Sequence, residues 1–277
     1  MLKKIIFMTL AITVLVSCGG NKAGEAADEE GMAQFADEEE FKDAHDSPEG
    51  TDHVASGEMA TFATADGTDA SAYVLMADSP SDKYLFVIHE WWGLNDHIKE
   101  EADRLFAELD NVNVMALDMY DGKVATSPDE AGKFMQAVKP ERAEAIVKGA
   151  IAKAGSAAKI GTIGWCFGGG WSLKTSIMAG AQGVGCVIYY GMPVQEAAAL
   201  APLEADVLGI FAEEDGWITP EVVNNFEDLA KATGKKVETH QYKAAHAFAN
   251  PSNPKYDEEA AKEANALALA FLKERLQ

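Results

Sequence analysis

A cysteine between two glycines is the first candidate nucleophile of the chain. Cys166 lies in "KIGTIGWCFGGGWSL" (159–173), where Gly164 and Gly168 complete the pattern G-x-C-x-G. This is the spacing of a nucleophile elbow, with Cys in the place of Ser. The glycines let strand and helix approach closely, and the amides that open the helix favour a thiolate. A buried structural thiol beside a glycine-rich loop is the alternative.

An elbow nucleophile needs an acid and a base that follow it in the chain, first Asp or Glu and then His. "EEDGWITP" places Asp215 just past the seventh predicted strand, and "KAAHAF" places His246 just past the eighth. Glu213 and Glu214 compete for the role of acid, and His240 competes for that of base. His240 falls inside a strand pattern, so we favour His246 as the base and Asp215 as its partner.

A third candidate stretch is "HEWWGLNDH" (89–97), which follows the third predicted strand. The equivalent loop of elbow hydrolases donates one oxyanion amide, and the residue after the nucleophile, Phe167, donates the other. His89, Glu90 and His97 lack the H-E-x-x-H spacing of a zinc site, and the sequence offers no further ligands for one. The sequence therefore predicts no metal and no cofactor.

Alternating strands and helices begin near residue 55 and would position these side chains. Apolar, β-rich runs predict eight strands, over 58–65, 70–76, 84–89, 112–118, 159–165, 185–190, 206–212 and 236–242. Helical spacing predicts helices over 95–109, 128–155, 167–180, 220–233 and 256–276. An antiparallel pair followed by β-α units predicts an α/β fold, a mostly parallel eight-stranded sheet flanked by helices on both faces. Functional groups of such sheets collect at the carboxyl ends of the strands.

The composition is that of one globular domain behind an acidic stretch. The chain has 277 residues, of which 48% are hydrophobic, enough to bury a core. Its net charge of −22 argues against nucleic acid as a partner, because phosphates would be repelled. Twelve acids and two lysines between Gly19 and Asp52 give that stretch a net charge of −10. We therefore predict a disordered tether over 18–55 and the domain over 56–277.

The first residues, "MLKKIIFMTLAITVLVSC", resemble a bacterial lipoprotein signal. Two lysines precede an apolar run over 5–16, which is shorter than the about 20 residues that span a bilayer and suits a signal peptide. The run ends in "LVSC", which resembles a lipobox. The resemblance implies a signal peptide over 1–17, lipid on Cys18, and export of a protein anchored by that lipid to a bacterial membrane. A signal peptide with a chance cysteine is the alternative.

The other two cysteines are predicted to be free thiols. Exported proteins usually oxidise cysteine pairs, which would join Cys166 to Cys186. Cys186 lies within the predicted strand "GVGCVIYYG", and a thiol in mid-strand is a poor partner for one on a turn. A redox protein that uses both thiols stays open as an alternative.

Five segments together resemble the dienelactone hydrolase family of α/β-hydrolases: "VIHEWWGLNDHIKEEADRLF", "ALDMYDGKVAT", "IGWCFGGGWSL", "AEEDGWITP" and "KAAHAF". The resemblance implies the α/β-hydrolase fold and cleavage of a carboxylic ester or lactone through a thioester acyl-enzyme. The implied catalytic triad is Cys166, His246 and Asp215. Glu90 is implied to contact the resting thiol and to take its proton, and Trp91 and Phe167 to supply the oxyanion amides.

The chain departs from this family where a substrate carboxylate would bind. Members that act on carboxylate-bearing lactones hold that group with arginines. This chain has Lys123 in "YDGKVAT" near one such position and Asn250 in "HAFANPSN" at another. Lysine is a point charge and asparagine has none, so an anionic substrate is left open, and Tyr120 and Lys123 are the predicted substrate-binding residues. A non-catalytic lipoprotein that binds a ligand on the same fold is the alternative function, and the oligomeric state is also left open.

Overall fold

The computed structural model describes residues 31–48 and 50–277. These residues form the strands β1 (Glu58–Phe62), β2 (Ala70–Leu75), β3 (Lys83–Ile88), β4 (Asn113–Leu117), β5 (Lys159–Trp165), β6 (Gly183–Tyr189), β7 (Asp206–Ala212) and β8 (Val237–Tyr242). The α-helices are α1 (Glu39–Asp43), α2 (Asp96–Glu108), α3 (Pro128–Ala137), α4 (Pro140–Ala154), α5 (Phe167–Ala179), α6 (Ala197–Leu200), α7 (Pro220–Thr233) and α8 (Glu258–Arg275). Within these ranges no helix combines the length and the apolar character needed to cross a membrane. The predicted signal peptide and Cys18 lie outside the described residues.

The strands form one sheet in the order β1-β2-β4-β3-β5-β6-β7-β8. Strand β2 runs antiparallel to both β1 and β4, and the remaining pairs from β4 to β8 are parallel. The predicted α/β fold with an antiparallel pair and a mostly parallel eight-stranded sheet is confirmed. Because six neighbouring strands run in the same direction, the loops that follow them meet at one edge of the sheet.

Burial along the strands explains why the sequence reads as short apolar runs. All five residues of β4 are buried, and so are the last four of β3 and the last six of β5. Strands covered by helices on both faces have no solvent side and lose the alternation of apolar and polar residues. Strand β8 at the edge is only partly buried, which accounts for its more polar sequence.

The helix predicted over 128–155 is two helices in the structure, α3 and α4. Val138 and Lys139 between them are extended, with ψ angles of 115° and 130°. Pro140 disfavours helical backbone in the residue before it, and it then begins α4 at a position where no N–H is required. The interruption was therefore encoded in "VKP" (138–140), within an otherwise helical pattern.

Residues 31–48, which we call the N-terminal segment, pack against the domain. The segment contains a 3-10 helix over Gly31–Phe35 followed by α1, and it buries Met32, Ala36, Phe41 and Ala44. Lys42 Nζ pairs with Asp129 Oδ1 on α3 at 3.0 Å. Over 31–48 the structure differs from the disorder predicted for 18–55, because a few apolar side chains anchor a stretch whose average composition is acidic.

Candidate active site

Cys166 forms a sharp turn between β5 and α5. Its φ angle of 53° and ψ angle of −116° are unusual for a residue with a side chain, and such strain persists only where the surroundings impose it. Its N–H donates to Tyr189 O at 3.0 Å, and its carbonyl accepts from Gly169 N at 3.0 Å. These two bonds fix the cysteine at the carboxyl edge of the sheet.

The glycines around Cys166 are there for steric reasons. A Cβ at Gly164 would lie 2.1 Å from Gly168 O, and one at Gly168 would lie 2.2 Å from Ile88 O. Both obstacles are backbone atoms, which cannot rotate away. The spacing G-x-C-x-G thus allows α5 to begin directly against β3 and β5.

Asp215 and His246 form a buried pair, with Nδ1 of the imidazole donating to Oδ2 of the carboxylate at 2.6 Å. The other carboxylate oxygen accepts from Trp217 N at 2.8 Å and Ile218 N at 2.9 Å. Burial opposes ionisation of Asp215, but three interactions outweigh it and lower the pKa of this carboxyl. They are the charge of His246, the hydrogen bond from His246 and the hydrogen bonds from the two amides. Burial likewise opposes protonation of His246, but Asp215 raises its pKa to about 10.

The competing acids and base lie elsewhere. Glu213 and Glu214 are exposed in the turn that precedes Asp215. His240 is on β8, and its Nε2 contacts Glu238 Oε1 at 2.8 Å. The structure thus places Asp215 and His246 together and keeps their competitors at the surface.

Cys166 lies beside His246, with potential ligand atoms of the two side chains within 4.8 Å of each other. Burial raises the pKa of the thiol, while the imidazole and the amide of Phe167 act in the opposite direction. The net pKa is raised, so the resting cysteine is a neutral thiol that needs a base before it can react. The same interaction places the Phe167 amide on the thiol side of the elbow.

Glu90 is a second buried carboxyl next to the cysteine. Its Oε2 accepts from Asn250 Nδ2 at 2.6 Å, and the Tyr190 hydroxyl lies 3.5 Å from its Oε1. Burial raises the pKa of Glu90 to about 7, against the opposing effects of His246 and these two hydrogen-bond donors. A carboxyl with such a pKa exchanges protons readily near neutrality.

Two residues of this cluster were not identified as part of it from the sequence. Asn250 was considered as the counterpart of a substrate-binding arginine, whereas it holds Glu90. Tyr190 follows β6 directly with a φ of 33°, and its ring centroid lies 5.1 Å from that of His246. Tyr190 ends the predicted strand over 185–190, and that position could have identified it as a site residue from the sequence.

His89 is not available to a metal. Its Nε2 accepts from Met119 N at 3.1 Å, and its Nδ1 donates to Glu90 O at 2.5 Å. Since both ring nitrogens are occupied, the histidine serves to link the loop after β3 to the loop after β4.

The predicted substrate-binding residues border a cavity of about 210 Å³. Tyr120 and Lys123 line it, and Lys123 Nζ lies 5.5 Å from the centre of the Phe134 ring. The Tyr120 ring is 5.4 Å from that of Phe167, and burial raises the pKa of its hydroxyl. Trp91, the other predicted oxyanion residue, is fully buried beside Glu90. A second cavity, of about 390 Å³, adjoins Glu90 and its hydrogen-bond donors.

The N-terminal segment closes over this cluster. The Phe41 ring lies 5.0 Å from that of Trp91 and 4.9 Å from that of Trp217. The His45 ring lies 5.3 Å from that of His246 and 4.7 Å from that of Trp91. Hydrogen bonds from Trp217 Nε1 to Glu38 (2.9 Å) and from Asn253 Nδ2 to Ala44 O (3.2 Å) tie the segment down. Cys166 is left 1% exposed.

Cys166 and Cys186 are both free thiols. Cys186 pairs in register with Thr162, four residues before Cys166 on the neighbouring strand, a separation of about 13 Å along the sheet. A disulfide requires Cα atoms within about 7 Å of each other, so the two cannot be joined without rebuilding the sheet. This geometry argues against the redox alternative.

Comparisons with known proteins relate the chain to one family. Residues 70–276 match the model of the dienelactone hydrolase family. Protein usf of Aquifex pyrophilus is 34% identical over 210 residues, which cover 69% of this chain and 88% of that protein. Carboxymethylenebutenolidase 1 of Cupriavidus pinatubonensis is 27% identical over 116 residues, covering 41% and 48%. The crystal structure of a dienelactone hydrolase-like promiscuous phosphotriesterase from metagenomic libraries superposes with a TM-score of 0.69 at 21% identity, covering 81% of this chain and all of that one.

Proposed function

The chain belongs to the dienelactone hydrolase family, and on that basis we propose that it hydrolyses a carboxylic ester or lactone through a thioester on Cys166. The observation that carries the proposal is the strained cysteine turn beside the buried His246–Asp215 pair. A thiol placed in this way has a base, an orienting carboxylate and helix amides around it.

In the proposed acylation step, Glu90 accepts a proton and His246 donates one. Glu90, with a pKa of about 7, takes the proton of the Cys166 thiol as sulfur attacks the carbonyl carbon. Amides of Trp91 and Phe167 stabilise the resulting oxyanion. His246, whose pKa of about 10 makes it an imidazolium at neutral pH, then donates its proton to the leaving alkoxide as the C–O bond breaks.

Deacylation returns each proton to its place. Neutral His246 takes a proton from water, and the hydroxide adds to the thioester carbonyl. The C–S bond breaks, the acid product leaves, and the departing thiolate takes the proton back from Glu90. Asp215 keeps the imidazole oriented in both halves of the reaction without exchanging a proton itself.

The substrate is proposed to be a small neutral ester or lactone held against Tyr120 and Lys123. Asn250 is engaged with Glu90, and Arg142 at the rim of the 210 Å³ cavity is paired with Asp121. The two lysines that line this cavity, Lys123 and Lys139, lack the two-pronged geometry that holds a carboxylate.

Replacing the nucleophile tests the proposal. Cys166→Ala should abolish turnover of an activated aryl ester, because no thiol remains to form the acyl-enzyme, while circular dichroism stays that of the wild type. The matched control is Cys186→Ala, which removes a thiol buried in mid-strand and should keep activity. Turnover by a folded Cys166→Ala protein would remove the thiol from the mechanism. If a panel of esters and lactones gives no turnover while a ligand binds, the fold serves as a binding protein instead.

The proposal includes export and a lipid anchor on Cys18. The support is the basic, then apolar, start of the chain that ends in "LVSC". Mass spectrometry of the N-terminal peptide should find diacylglycerol on Cys18. Cys18→Ala should move the protein from the membrane fraction to the soluble one, and retention in the membrane without lipid would contradict the anchor.

A further inference from the structure

His45 brings an unused nitrogen to the candidate nucleophile. The residue is 4% exposed, and its Nδ1–H donates to Phe41 O at 2.7 Å. Its Nε2 therefore carries the lone pair, and this atom is buried without a hydrogen-bond partner among the described residues. Buried polar atoms are seldom left unpaired, so an unpaired nitrogen aimed at reactive groups calls for a ligand.

His246 shows the same arrangement on the other side of the thiol. Its Nδ1–H donates to Asp215, and its buried Nε2 interacts with the sulfur of Cys166 and with no other hydrogen-bond partner in the described part of the chain. One potential ligand atom from each histidine and Sγ of Cys166 lie within 4.8 Å of one another. Because Nδ1 is engaged in both rings, the available atoms are the two Nε2 nitrogens and the sulfur.

Two imidazole nitrogens and one thiolate are a donor set that zinc prefers. Histidines that bind metals usually donate their other N–H to a carboxylate or a backbone carbonyl, and His246 and His45 do each of these. Tetrahedral zinc would hold its ligand atoms about 3.3–3.6 Å apart, so the three groups need to move inward by little more than an ångström. A fourth position is left for water.

We propose that His45, Cys166 and His246 form a zinc site that locks the N-terminal segment over the cysteine. Binding forms one Zn–S and two Zn–N bonds and releases two protons to the buffer, one from the Cys166 thiol and one from the His246 imidazolium, with no change of oxidation state. Cys166 and the Nε2 of His246 are then both occupied, so zinc blocks hydrolysis. The block rests on the proposed hydrolase function, whereas zinc binding does not.

Metal binding is measured directly on the full-length protein in detergent. Zinc is titrated against a chromophoric chelator, and cobalt(II) serves as the spectroscopic probe. The wild type should bind one zinc per chain at this site, and its cobalt form should show a thiolate-to-cobalt charge-transfer band that Cys166→Ala abolishes. Absence of that band in the wild type would overturn the site.

Two substitutions of His45 separate a ligand from a packing residue. His45→Gln keeps a polar side chain and His45→Phe keeps an aromatic ring, but neither supplies the nitrogen. Loss of a hydrogen-bond partner behind a ligand weakens metal affinity by about 10–100-fold, so loss of the ligand itself should raise the zinc Kd by more than about 100-fold in both. His240→Gln, at the surface, is the matched control and should leave the Kd unchanged. Wild-type zinc affinity in either His45 variant overturns the proposal.

Activity is followed with the same proteins. Zinc should inhibit ester hydrolysis by the wild type in step with occupancy, and a chelator should restore it. In His45→Gln the inhibiting zinc concentration should rise by the same factor as the Kd. Full occupancy with undiminished turnover would overturn the block and leave the site standing, and a protein that hydrolyses no ester but binds zinc would refute only the proposed function.

Discussion

Replacing Phe41 by alanine tests whether the N-terminal segment opens while the domain stays folded. Phe41 is fully buried between Trp91 and Trp217. A buried Phe→Ala change costs about 3–5 kcal/mol. The segment is outside the sheet and rests on one surface of the domain, so we expect the loss to appear as opening of the segment and not as unfolding of the strands.

The expected effect on opening is large. Each 1.4 kcal/mol changes an equilibrium constant about tenfold, so the open fraction should rise by roughly two to three and a half orders of magnitude. The assay is the rate at which iodoacetamide alkylates Cys166, read by peptide mass spectrometry at fixed pH. This rate follows the open population when opening and closing are fast compared with alkylation. Cys186 in mid-strand is the internal control.

The control variant is Phe271→Ala, which removes a partly buried ring of α8 that lies beside Gly185 of β6. It should lower the melting temperature without raising alkylation of Cys166 to the same extent. Equal acceleration by both variants would show that alkylation reports global unfolding. An unchanged Cys166 rate in folded Phe41→Ala protein refutes the reasoning.

Three further substitutions address the site itself. Asp215→Asn should lower kcat/KM for an aryl ester by about 10⁴, since the amide favours the wrong imidazole tautomer; steady-state kinetics check this, and a loss below tenfold would contradict it. Asn250→Ala removes a hydrogen bond that lowers the pKa of Glu90, so this pKa should rise. Measured with a chelator present, the increase of the acylation rate with pH should then occur at higher pH. A shift to lower pH would contradict the role of Glu90. Gly168→Ala should destabilise the fold by about 3 kcal/mol or more, because the new Cβ meets a backbone carbonyl of β3. Chemical denaturation measures this, and Gly50→Ala is the neutral control, because a Cβ at Gly50 would meet no atom of the described residues within 4 Å.

The eight strands and their mostly parallel arrangement followed from local patterns, and so did the prediction of where the candidate site lies. Helices cover both faces of the buried strands, so each of these strands is a short, uninterrupted run of apolar residues. Polar residues or glycines mark its carboxyl end. Cys166 and Asp215 come within three residues of the ends of such runs, and His246 follows the more polar edge strand β8, so parallel strands bring the three residues to one edge. The break at Pro140 is also encoded locally. The sequence nevertheless predicted a single helix over 128–155, because the residues on both sides of the proline have helical composition and spacing.

The cover over the site did not follow from local patterns. The N-terminal segment is acidic on average, and charge repulsion favours an extended chain in isolation. Phe41 and His45 become buried only because Trp91, Trp217 and His246 converge on them from distant parts of the sequence. The hydrogen bond of Asn250 with Glu90 likewise joins loops 160 residues apart, a pairing that no local pattern encodes.

The position of the N-terminal segment has a mechanical consequence for a chain held at Cys18. Tension that enters from the residues before 31 reaches the 3-10 helix and α1 first, each of five residues, and reaches the sheet only after them. The contacts of these two helices would break one after another, whereas β1 is paired with β2 along its whole length. If Cys18 is lipidated as proposed, a pull from that end of the chain would uncover Cys166 well before it disturbed the sheet, so force on the chain would control the reactivity of the cysteine.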